Sequence, residues 1–193
     1  MGNVIEHILD ASFLYHQPWF YNNKLALRCE LGIGDGYEYM QNAFSRAMQI
    51  ASILFENKKI DLAFFNRYFD VDGTVYAAGD FPLNSDKVVE IDRNALIACN
   101  EIDDDISAVK RYISYDVDFI TLESILKEQI DGQSKPLVSF VSLDNQCIFS
   151  VYDDRGCDIV FFDSEKYKEF YMKLSNYLLD YDREKMRETF DSI

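Results

Sequence analysis

Three short apolar segments in the last third of the chain constrain the fold more than any other feature of this sequence. They span residues 137–143, 147–152 and 157–162, and each has the length and the Val, Ile and Phe content of a buried β-strand. Only Asp144-Asn145 and Asp153-Asp154-Arg155-Gly156 separate them. Connections this short join antiparallel neighbours, so the segments predict a meander, with Gly156 taking a positive φ to close the second loop.

The remaining chain mixes strand and helix patterns. Residues 37–55 carry apolar side chains at three- and four-residue steps, which indicates an amphipathic helix. The other expected strands cover 25–31, 60–69, 74–78 and 88–91, and the other expected helices cover 4–14, parts of 94–114, a segment from a capping Thr121 to about 130, and 167–178. The sequence therefore predicts an α+β fold, with helices packed on a mostly antiparallel sheet, as a single domain over 1–193.

Acidic residues outnumber basic ones through the middle of the chain. The formal net charge is −15, and residues 61–165, with 22 acids and 8 bases, contribute −14 of it. Lys and Arg are the side chains that neutralise phosphate, so we expect neither nucleic acid nor an anionic membrane surface to bind this protein. The charge instead favours a basic protein partner.

No metal site and no cofactor are expected. The cysteines form no CxxC pair and lie apart from both histidines, so the spacing of a zinc site is missing. The first ten residues hold no Lys or Arg, and no apolar run reaches the ~18 residues of a membrane span. These features predict a cytoplasmic protein with free, buried thiols. The residues concerned are Cys29, Cys99, Cys147, Cys157, His7 and His16.

The segment Glu30-Leu31-Gly32-Ile33-Gly34-Asp35-Gly36 lies between a predicted strand and a predicted helix. It resembles the glycine-rich motif of S-adenosylmethionine-dependent methyltransferases, in which the backbone approaches the cofactor. That fold requires alternating strands and helices in a parallel sheet, whereas the C-terminal third predicts a meander. The other interpretation is that the glycines permit a tight turn from strand to helix.

A second short motif, Phe69-Asp70-Val71-Asp72-Gly73-Thr74-Val75-Tyr76, resembles the nucleophile segment of haloacid-dehalogenase-type phosphatases. Two aspartates two residues apart at a strand end could face one magnesium ion. In that family the motif begins the core, but 69 residues precede Asp70 here. A glycine-containing turn between two strands is the other interpretation. A small enzyme using either motif remains the alternative to a binding protein.

Three segments carry a more specific resemblance. Tyr152-Asp153-Asp154-Arg155-Gly156-Cys157-Asp158 contains YDDRG-x-D, and residues 177–183 read YLLDYDR. Together with Leu27-Arg28-Cys29-Glu30-Leu31-Gly32, they resemble a family of bacterial domains of unknown function. Domains of this kind occur among the immunity proteins of bacterial toxin systems, including contact-dependent growth inhibition. The resemblance implies a cytoplasmic protein, not an enzyme, that blocks a cognate toxin domain, commonly a nuclease.

The resemblance and the charge together predict where such a toxin would bind. A nuclease presents Lys and Arg to phosphate, so its inhibitor gains association rate and specificity from carboxylates at matching positions. Residues 65–120 have no counterpart in the resemblance, so partner-specific residues are expected there. The expected set combines acids at the edge of the contact with an aromatic anchor: Asp103, Asp104, Asp105, Asp116, Asp118, Tyr112 and Tyr115. The plainer interpretation is that these acids are only solvated.

A second group of charged residues is expected to specify the fold. Arg28 lies in the first predicted strand, and an arginine there could pair with the acidic hairpin. Breaking such a buried pair from one side would cost ~3–5 kcal/mol of stability. The group comprises Arg28, Asp153, Asp154, Arg155 and Asp182.

Overall fold

The computed structural model describes residues 8, 19–75, 83–91, 94, 106–132 and 136–193. The strands are β1 Ala26–Glu30, β2 Ile60–Asp70, β3 Lys87–Ile91, β4 Ile106–Val117, β5 Val138–Ser142, β6 Cys147–Asp153 and β7 Gly156–Phe161. The helices of eight or more residues are α2 Gly36–Leu54, α3 Phe119–Ile130, α4 Ser164–Lys173 and α5 Arg183–Ser192, preceded by the four-residue α1 Trp19–Asn22. Within the described residues, the strands form one antiparallel sheet in the order β1-β7-β6-β5-β2-β4-β3.

The strands β5, β6 and β7 form the predicted meander, and the α+β fold class is confirmed. Ser139 lies opposite Ser150, which lies opposite Asp158. β1 joins the outer side of β7 with Arg28 opposite Asp158, and β2 joins β5 with Phe64 opposite Ser139. Directly opposed residues share a face of the sheet, so these five side chains form one row across five strands.

The helices α2 and α3 cover the face of the sheet opposite to the row that contains Arg28 and Phe64. Phe149 lies opposite Phe140, which lies opposite Ala63, so these three residues share the face away from Phe64. Phe55, just after α2, meets Phe149 there with ring centroids 6.4 Å apart. α3 packs against both α2 and β6. Among the described helices, none is long and apolar enough to cross a membrane.

The face that carries Arg28 and Phe64 is covered by α1, and the β1 edge is covered by the C-terminal part of the chain. Trp19 stacks on Phe64 with ring centroids 6.2 Å apart. The N–H of Glu30 donates to the carbonyl of Tyr177 at 2.8 Å, and the N–H of Leu179 donates back to the β1 backbone at 2.9 Å. α4 packs on β1 and β7 and contacts α5. β1 is therefore held by hydrogen bonds on both of its sides.

The expectation of helix within 94–114 is wrong for residues 106–114, which belong to β4. β4 pairs with β2 along its whole length. Ile113 and Ser114 point to opposite faces and are both buried, so burial does not simply alternate along this strand. Its apolar residues Ile106, Val109 and Ile113 are three and four residues apart, which is also the spacing of one face of a helix. Residues 95–105 lie outside the described residues.

Other expectations differ from the structure at the ends of helices. Asp118, rather than Thr121, caps α3. The expected helix 167–178 corresponds to α4, which ends at Lys173 because the chain after it turns back to bond the edge of β1; α5, which follows, was not expected. The predicted helix 4–14, apart from Ile8, and the predicted strand 74–78 from residue 76 onwards lie outside the described residues.

Gly156 is needed for close packing, and the prediction of its positive φ is wrong. β6 ends at Asp153 and β7 begins at Gly156, so the loop has two residues, and a bulge at Tyr152 shifts the register. A Cβ atom at Gly156 would lie 2.1 Å from the hydroxyl oxygen of Tyr152 and 2.8 Å from the carbonyl oxygen of Cys29. Any larger residue would displace the Tyr152 side chain and press against the backbone of β1 at Cys29.

Candidate functional site

Five aspartates from four chain segments converge on one end of the sheet, where β2 begins and β4 ends. The segment before β3 reaches this end because the N–H of Asp86 donates to the carbonyl of Ile113 at 2.8 Å. The turn between β5 and β6 reaches it because the N–H of Leu143 donates to Oδ2 of Asp61 at 2.7 Å. We name this end the acidic rim. Its members are Asp61, Asp86, Asp116, Asp118 and Asp144.

One lysine lies close to several carboxylates of the acidic rim. The Nζ atom of Lys59 is 2.6 Å from Oδ1 of Asp61, whose side chain is buried. The hydrogen bond and charge of Asp61, followed by the charges of Asp144 and Asp116, raise the pKa of Lys59 above its ordinary value. Lys58, next to Lys59, and Lys87, next to Asp86, also lie beside the rim in sequence. The five aspartates and these three lysines together carry a formal charge of −2. The field at this end of the sheet is therefore negative.

Two of the predicted partner-binding aspartates belong to the acidic rim, with different surroundings. Asp118 accepts hydrogen bonds from the N–H of Thr121 at 2.8 Å and from its hydroxyl at 2.9 Å. These bonds lower the pKa of Asp118 and hold the first turn of α3. Asp116 is exposed at a φ of 50°, where β4 turns towards α3. Asp116 therefore presents its carboxylate at the surface, whereas Asp118 also has a structural role.

The two predicted aromatic anchors point to opposite faces, because they are three residues apart in a strand. Tyr112 is half-buried and stacks on Phe65, with ring centroids 5.2 Å apart and an angle of 7° between the planes. Tyr115 is 38% exposed, and its N–H donates to Oδ2 of Asp86 at 2.8 Å. Only Tyr115 therefore lies at the acidic rim.

The other three predicted residues, Asp103, Asp104 and Asp105, lie outside the described residues. The structure describes the strand that follows them: β4 has 12 residues and begins at Ile106. At ~3.3 Å per residue, this strand places Ile106 about 36 Å from the acidic rim at its other end. The acidic rim is therefore defined without these three aspartates, and their part in binding stays a prediction.

Arg28 is the centre of a second, buried charge cluster. Its Nε and Nη2 atoms donate to the two carboxylate oxygens of Asp158 at 2.7 and 2.9 Å, and its Nη1 lies 3.9 Å from Oδ2 of Asp182. Burial alone would lower the pKa of Arg28, but the hydrogen bond and charge of Asp158 raise it. All three side chains are at least nine-tenths buried. Three aromatic rings also lie within 5.3 Å of the guanidinium carbon: Phe20, Tyr21 and Tyr152.

The partner of Arg28 is therefore not the acidic hairpin that the sequence suggested. Asp153 pairs within the hairpin, accepting from Nε of Arg155 at 2.8 Å. Asp158 was not among the residues expected to specify the fold, although a signal for it exists. Arg28 and Asp158 are each a single charge between apolar neighbours in a strand. A charge that is buried in this way needs an opposite charge beside it.

The glycine-rich segment 30–36 is packed against the side chains of α2. A Cβ atom at Gly32 would lie 2.0 Å from the ring of Tyr39, and Asn42 donates to the carbonyl of Ile33 at 2.9 Å. The sheet that the structure describes is antiparallel throughout. It therefore lacks the parallel strands that the methyltransferase interpretation requires.

The second enzyme-like motif forms a tight turn after β2. Oδ1 of Asp70 accepts hydrogen bonds from the N–H groups of Asp72 and Thr74 at 2.9 and 2.8 Å, and Gly73 has a φ of 80°. An aspartate that bonds its own following backbone in this way stabilises a turn. Across the described ranges, no three His, Cys, Asp or Glu side chains are grouped so that they could hold a metal ion.

Comparisons with known proteins identify a family. Neither a curated protein nor a solved structure matches the chain. A family model described as "Domain of unknown function (DUF3885)" matches residues 5–182. The match includes all seven strands, the five aspartates of the acidic rim and the whole Arg28 cluster. Because it covers most of the 193 residues, the chain belongs to the DUF3885 family of domains of unknown function.

Proposed function

We propose that this protein is an immunity protein, which binds a cognate toxin domain and covers a basic surface of that toxin with the acidic rim. The observation that carries the proposal is the convergence of five aspartates from four chain segments on one end of the sheet. Residues distant in sequence thus contribute carboxylates to one surface. Such a surface favours a partner that presents Lys and Arg.

A nuclease toxin is the partner that fits this charge best. Its substrate-binding surface must present basic residues to phosphate, so carboxylates placed against those residues exclude the nucleic acid. Attraction between opposite charges also raises the association rate. Speed matters because the toxin acts as soon as it reaches its substrate. We therefore place the protein in the cytoplasm, where a nuclease toxin finds nucleic acid.

Tyr115 is the aromatic anchor in this proposal. It is 38% exposed and lies beside Asp86 and Asp116, so an aromatic ring and carboxylates are available to one partner surface. Interfaces take most of their binding energy from a few such anchors, while charged edges set orientation and association rate. Tyr112 contributes only by packing β2 against β4. Asp103, Asp104 and Asp105 remain proposed as additional carboxylates.

The test is calorimetric binding to the purified toxin domain encoded beside this gene, at low and at high salt. The variants Asp116→Lys and Asp144→Lys each replace a negative charge of the acidic rim with a positive one. At ~6 Å from a partner charge in water, such a reversal costs ~1.4 kcal/mol, or about tenfold in Kd. We expect this loss for each variant, mainly in the association rate, and a smaller loss at high salt.

The matched control is Glu38→Lys. It makes the same charge change on an exposed side chain in the first turn of α2, which begins at the opposite end of the sheet from the acidic rim. We expect its Kd to stay within about twofold of the wild-type value, because screening removes most of the charge effect over that distance. Equal binding of wild type and Asp116→Lys at both salt concentrations would exclude the acidic rim as the interface. No binding by the wild type would exclude that toxin as the partner.

A further inference from the structure

The two outermost strands of the sheet differ in how their outer sides are covered. β1 is bonded on its outer side by the backbone of Tyr177 and Leu179. β3, Lys87–Ile91, is the last strand at the opposite edge of the sheet that the structure describes. Among the described residues, no backbone group donates to or accepts from its outer side. An unpaired edge of this kind is a template on which another chain can add a strand.

The register identifies the backbone groups of β3 that face this open side. Ile113 of β4 accepts a hydrogen bond from the N–H of Asp86 at 2.8 Å, so the carbonyl of Ile113 points towards β3. Ile113 is also the partner of Lys87 in the ladder between β3 and β4. Successive residues of an antiparallel strand bond alternate sides. Lys87 therefore bonds β4, and the N–H and C=O groups of Val88 and Glu90, one and three residues later, point outward.

The side chains along this edge alternate between carboxylate and apolar. Val88 is 48% exposed, and Glu90, two residues later on the same face, is exposed as well. Asp86 of the acidic rim lies just before β3, where its Oδ2 accepts a hydrogen bond from the N–H of Tyr115 at 2.8 Å. The order along the edge is therefore carboxylate, valine, carboxylate. A chain that pairs with β3 meets the acidic rim at one end.

The carboxylate of Glu90 is available to a partner. Lys110 lies opposite Glu90 in β4, but the Nζ atom of Lys110 lies over the ring of Phe69, 5.4 Å from the ring centroid. Burying this carboxylate under an added strand requires an opposite charge beside it. A charged residue on an edge strand thus restricts the sequences that can pair there.

The edge side chains define the chemistry of a suitable partner. Directly opposed residues in a sheet share a face, where opposite charges stabilise the pair and like charges destabilise it. An added strand therefore needs an apolar residue opposite Val88, with Lys or Arg opposite Glu90 and near Asp86. The residues between these lie opposite Lys87 and Val89, so they must not be basic. A second copy of this chain fits poorly, because each copy carries a formal charge of −15.

We propose that the outer edge of β3 binds an extended segment of the partner, with the pattern basic-x-apolar-x-basic, as an additional strand of the sheet. The pattern is the same in either chain direction. The backbone of the added strand bonds Val88 and Glu90, and its basic residues contact Glu90 and the acidic rim. That the partner is a toxin rests on the proposed function, whereas the pairing edge belongs to this chain and can be tested without the toxin.

The first test uses a short peptide, Thr-Arg-Thr-Val-Thr-Arg-Thr, which carries this pattern and is blocked at both ends. Binding is followed by NMR of the isotopically labelled protein. We expect saturable shifts of the Val88 and Glu90 amide signals. At saturating peptide, hydrogen exchange at these two amides should slow by about tenfold or more, because both gain a partner. The amide of Lys87 already bonds β4, so its exchange should change less.

Two matched peptides separate backbone pairing from charge. Methylation of the backbone nitrogen of the central valine removes a donor that faces β3 and leaves every side chain unchanged. We expect it to weaken binding by about tenfold, because the ladder hydrogen bond is lost and the methyl group obstructs the approach. Replacing both arginines with glutamate leaves the backbone unchanged. A similar loss of about tenfold is expected, because like charges then face Glu90 and the acidic rim.

Matched variants of Val88 test the same edge with the toxin domain. Val88→Pro removes an outward N–H and keeps the bonds to β4, because an edge strand tolerates proline where the nitrogen faces solvent. Val88→Thr keeps both the N–H and the branched side chain. We expect Val88→Pro to lose about tenfold in toxin affinity and Val88→Thr to stay within about threefold. Circular dichroism establishes that both variants are folded, and the peptide measurements on the wild type do not depend on them.

Three results would overturn the proposal. The first is the absence of a saturable response of Val88 and Glu90 to the arginine peptide. The second is equal affinity for that peptide and its N-methylated form, which would mean contact without strand pairing. The third is a wild-type dimer that Val88→Pro dissociates, since a second copy of the chain would then occupy the edge.

The toxin measurements distinguish this proposal from the proposed function. Toxin affinity that falls in Asp116→Lys and is unchanged in Val88→Pro would support the acidic rim and overturn the added strand as the mode of toxin binding. No toxin binding, together with the expected peptide response, would support the pairing edge and contradict only that toxin as the partner.

Discussion

Replacing Arg28 tests the buried charge cluster most directly. Arg28→Ala removes the donors that bond Asp158 at 2.7 and 2.9 Å, and it leaves Asp158 and Asp182 at 3% and 5% exposure without that cation. Breaking a buried pair from one side costs ~3–5 kcal/mol, because the remaining charge stays buried. In a chain of this size, each kcal/mol lowers Tm by ~2–4 °C, so we expect a fall of about 6–20 °C.

Urea unfolding, followed by circular dichroism, measures the free energy of unfolding of this variant. The control is Arg187→Ala, which removes an arginine from an exposed pair with Glu184. That change should alter the free energy of unfolding by less than ~0.5 kcal/mol. The double variant Arg28→Met/Asp158→Leu should recover part of the loss, because it leaves neither member of the main pair unmatched.

The reasoning would be refuted if Arg28→Ala lost less than ~1 kcal/mol, since a buried carboxylate left without its cation cannot be that inexpensive. It would also fail if the loss of stability in the double variant equalled the sum of the losses that the two single substitutions cause separately. Additive losses would mean that Arg28 and Asp158 are not coupled.

Two further predictions concern Asp118 and Cys147. Asp118→Ala should lower the free energy of unfolding by ~1 kcal/mol in urea, because it removes the cap on Thr121, whereas Asp118→Ser should keep most of the stability and separate capping from charge. Burial raises the pKa of Cys147 from 9.0 to about 12. Its thiolate fraction at pH 8 is then roughly a thousandfold below that of an exposed cysteine, so iodoacetamide should label Cys147 only after unfolding, as peptide mass spectrometry can follow. Rapid labelling of Cys147 in the folded protein would contradict its burial.

The sequence predicted the fold best where the chain makes short connections. Two brief turns leave the segments around β5, β6 and β7 no arrangement other than a meander, and the regular spacing of α2 needs no distant partner. β4 was not predicted, because its pairing with β2 joins segments far apart in sequence. The apolar spacing of Ile106, Val109 and Ile113 fits either element, and only the partner strand decides between them.

The candidate site was only partly predictable for the same reason. Asp116 was chosen from local charge and lies at the acidic rim, but Asp61 and Asp144 join it only through the order of the strands. Arg28 was expected to be buried and paired, yet its partner depends on the register that sets Asp158 opposite it. Local composition contains neither the strand order nor the register, so these partners could not be predicted from it.

The two-sided bonding of β1 has a consequence for synthesis on the ribosome. β1 is made early, but β7 lies on one side of it and the backbone of Tyr177 and Leu179 on the other. Arg28 likewise cannot form its ion pair until Asp158, 130 residues later in the chain, has been synthesised. Contacts between such distant residues form slowly, and a strand without its partners is prone to aggregate. A nascent chain that stops before Leu179 therefore keeps an open edge, and one that stops before Asp158 also keeps an unpaired arginine. If the protein protects its cell against a toxin, that protection begins with completed molecules and is not shared by those still being translated.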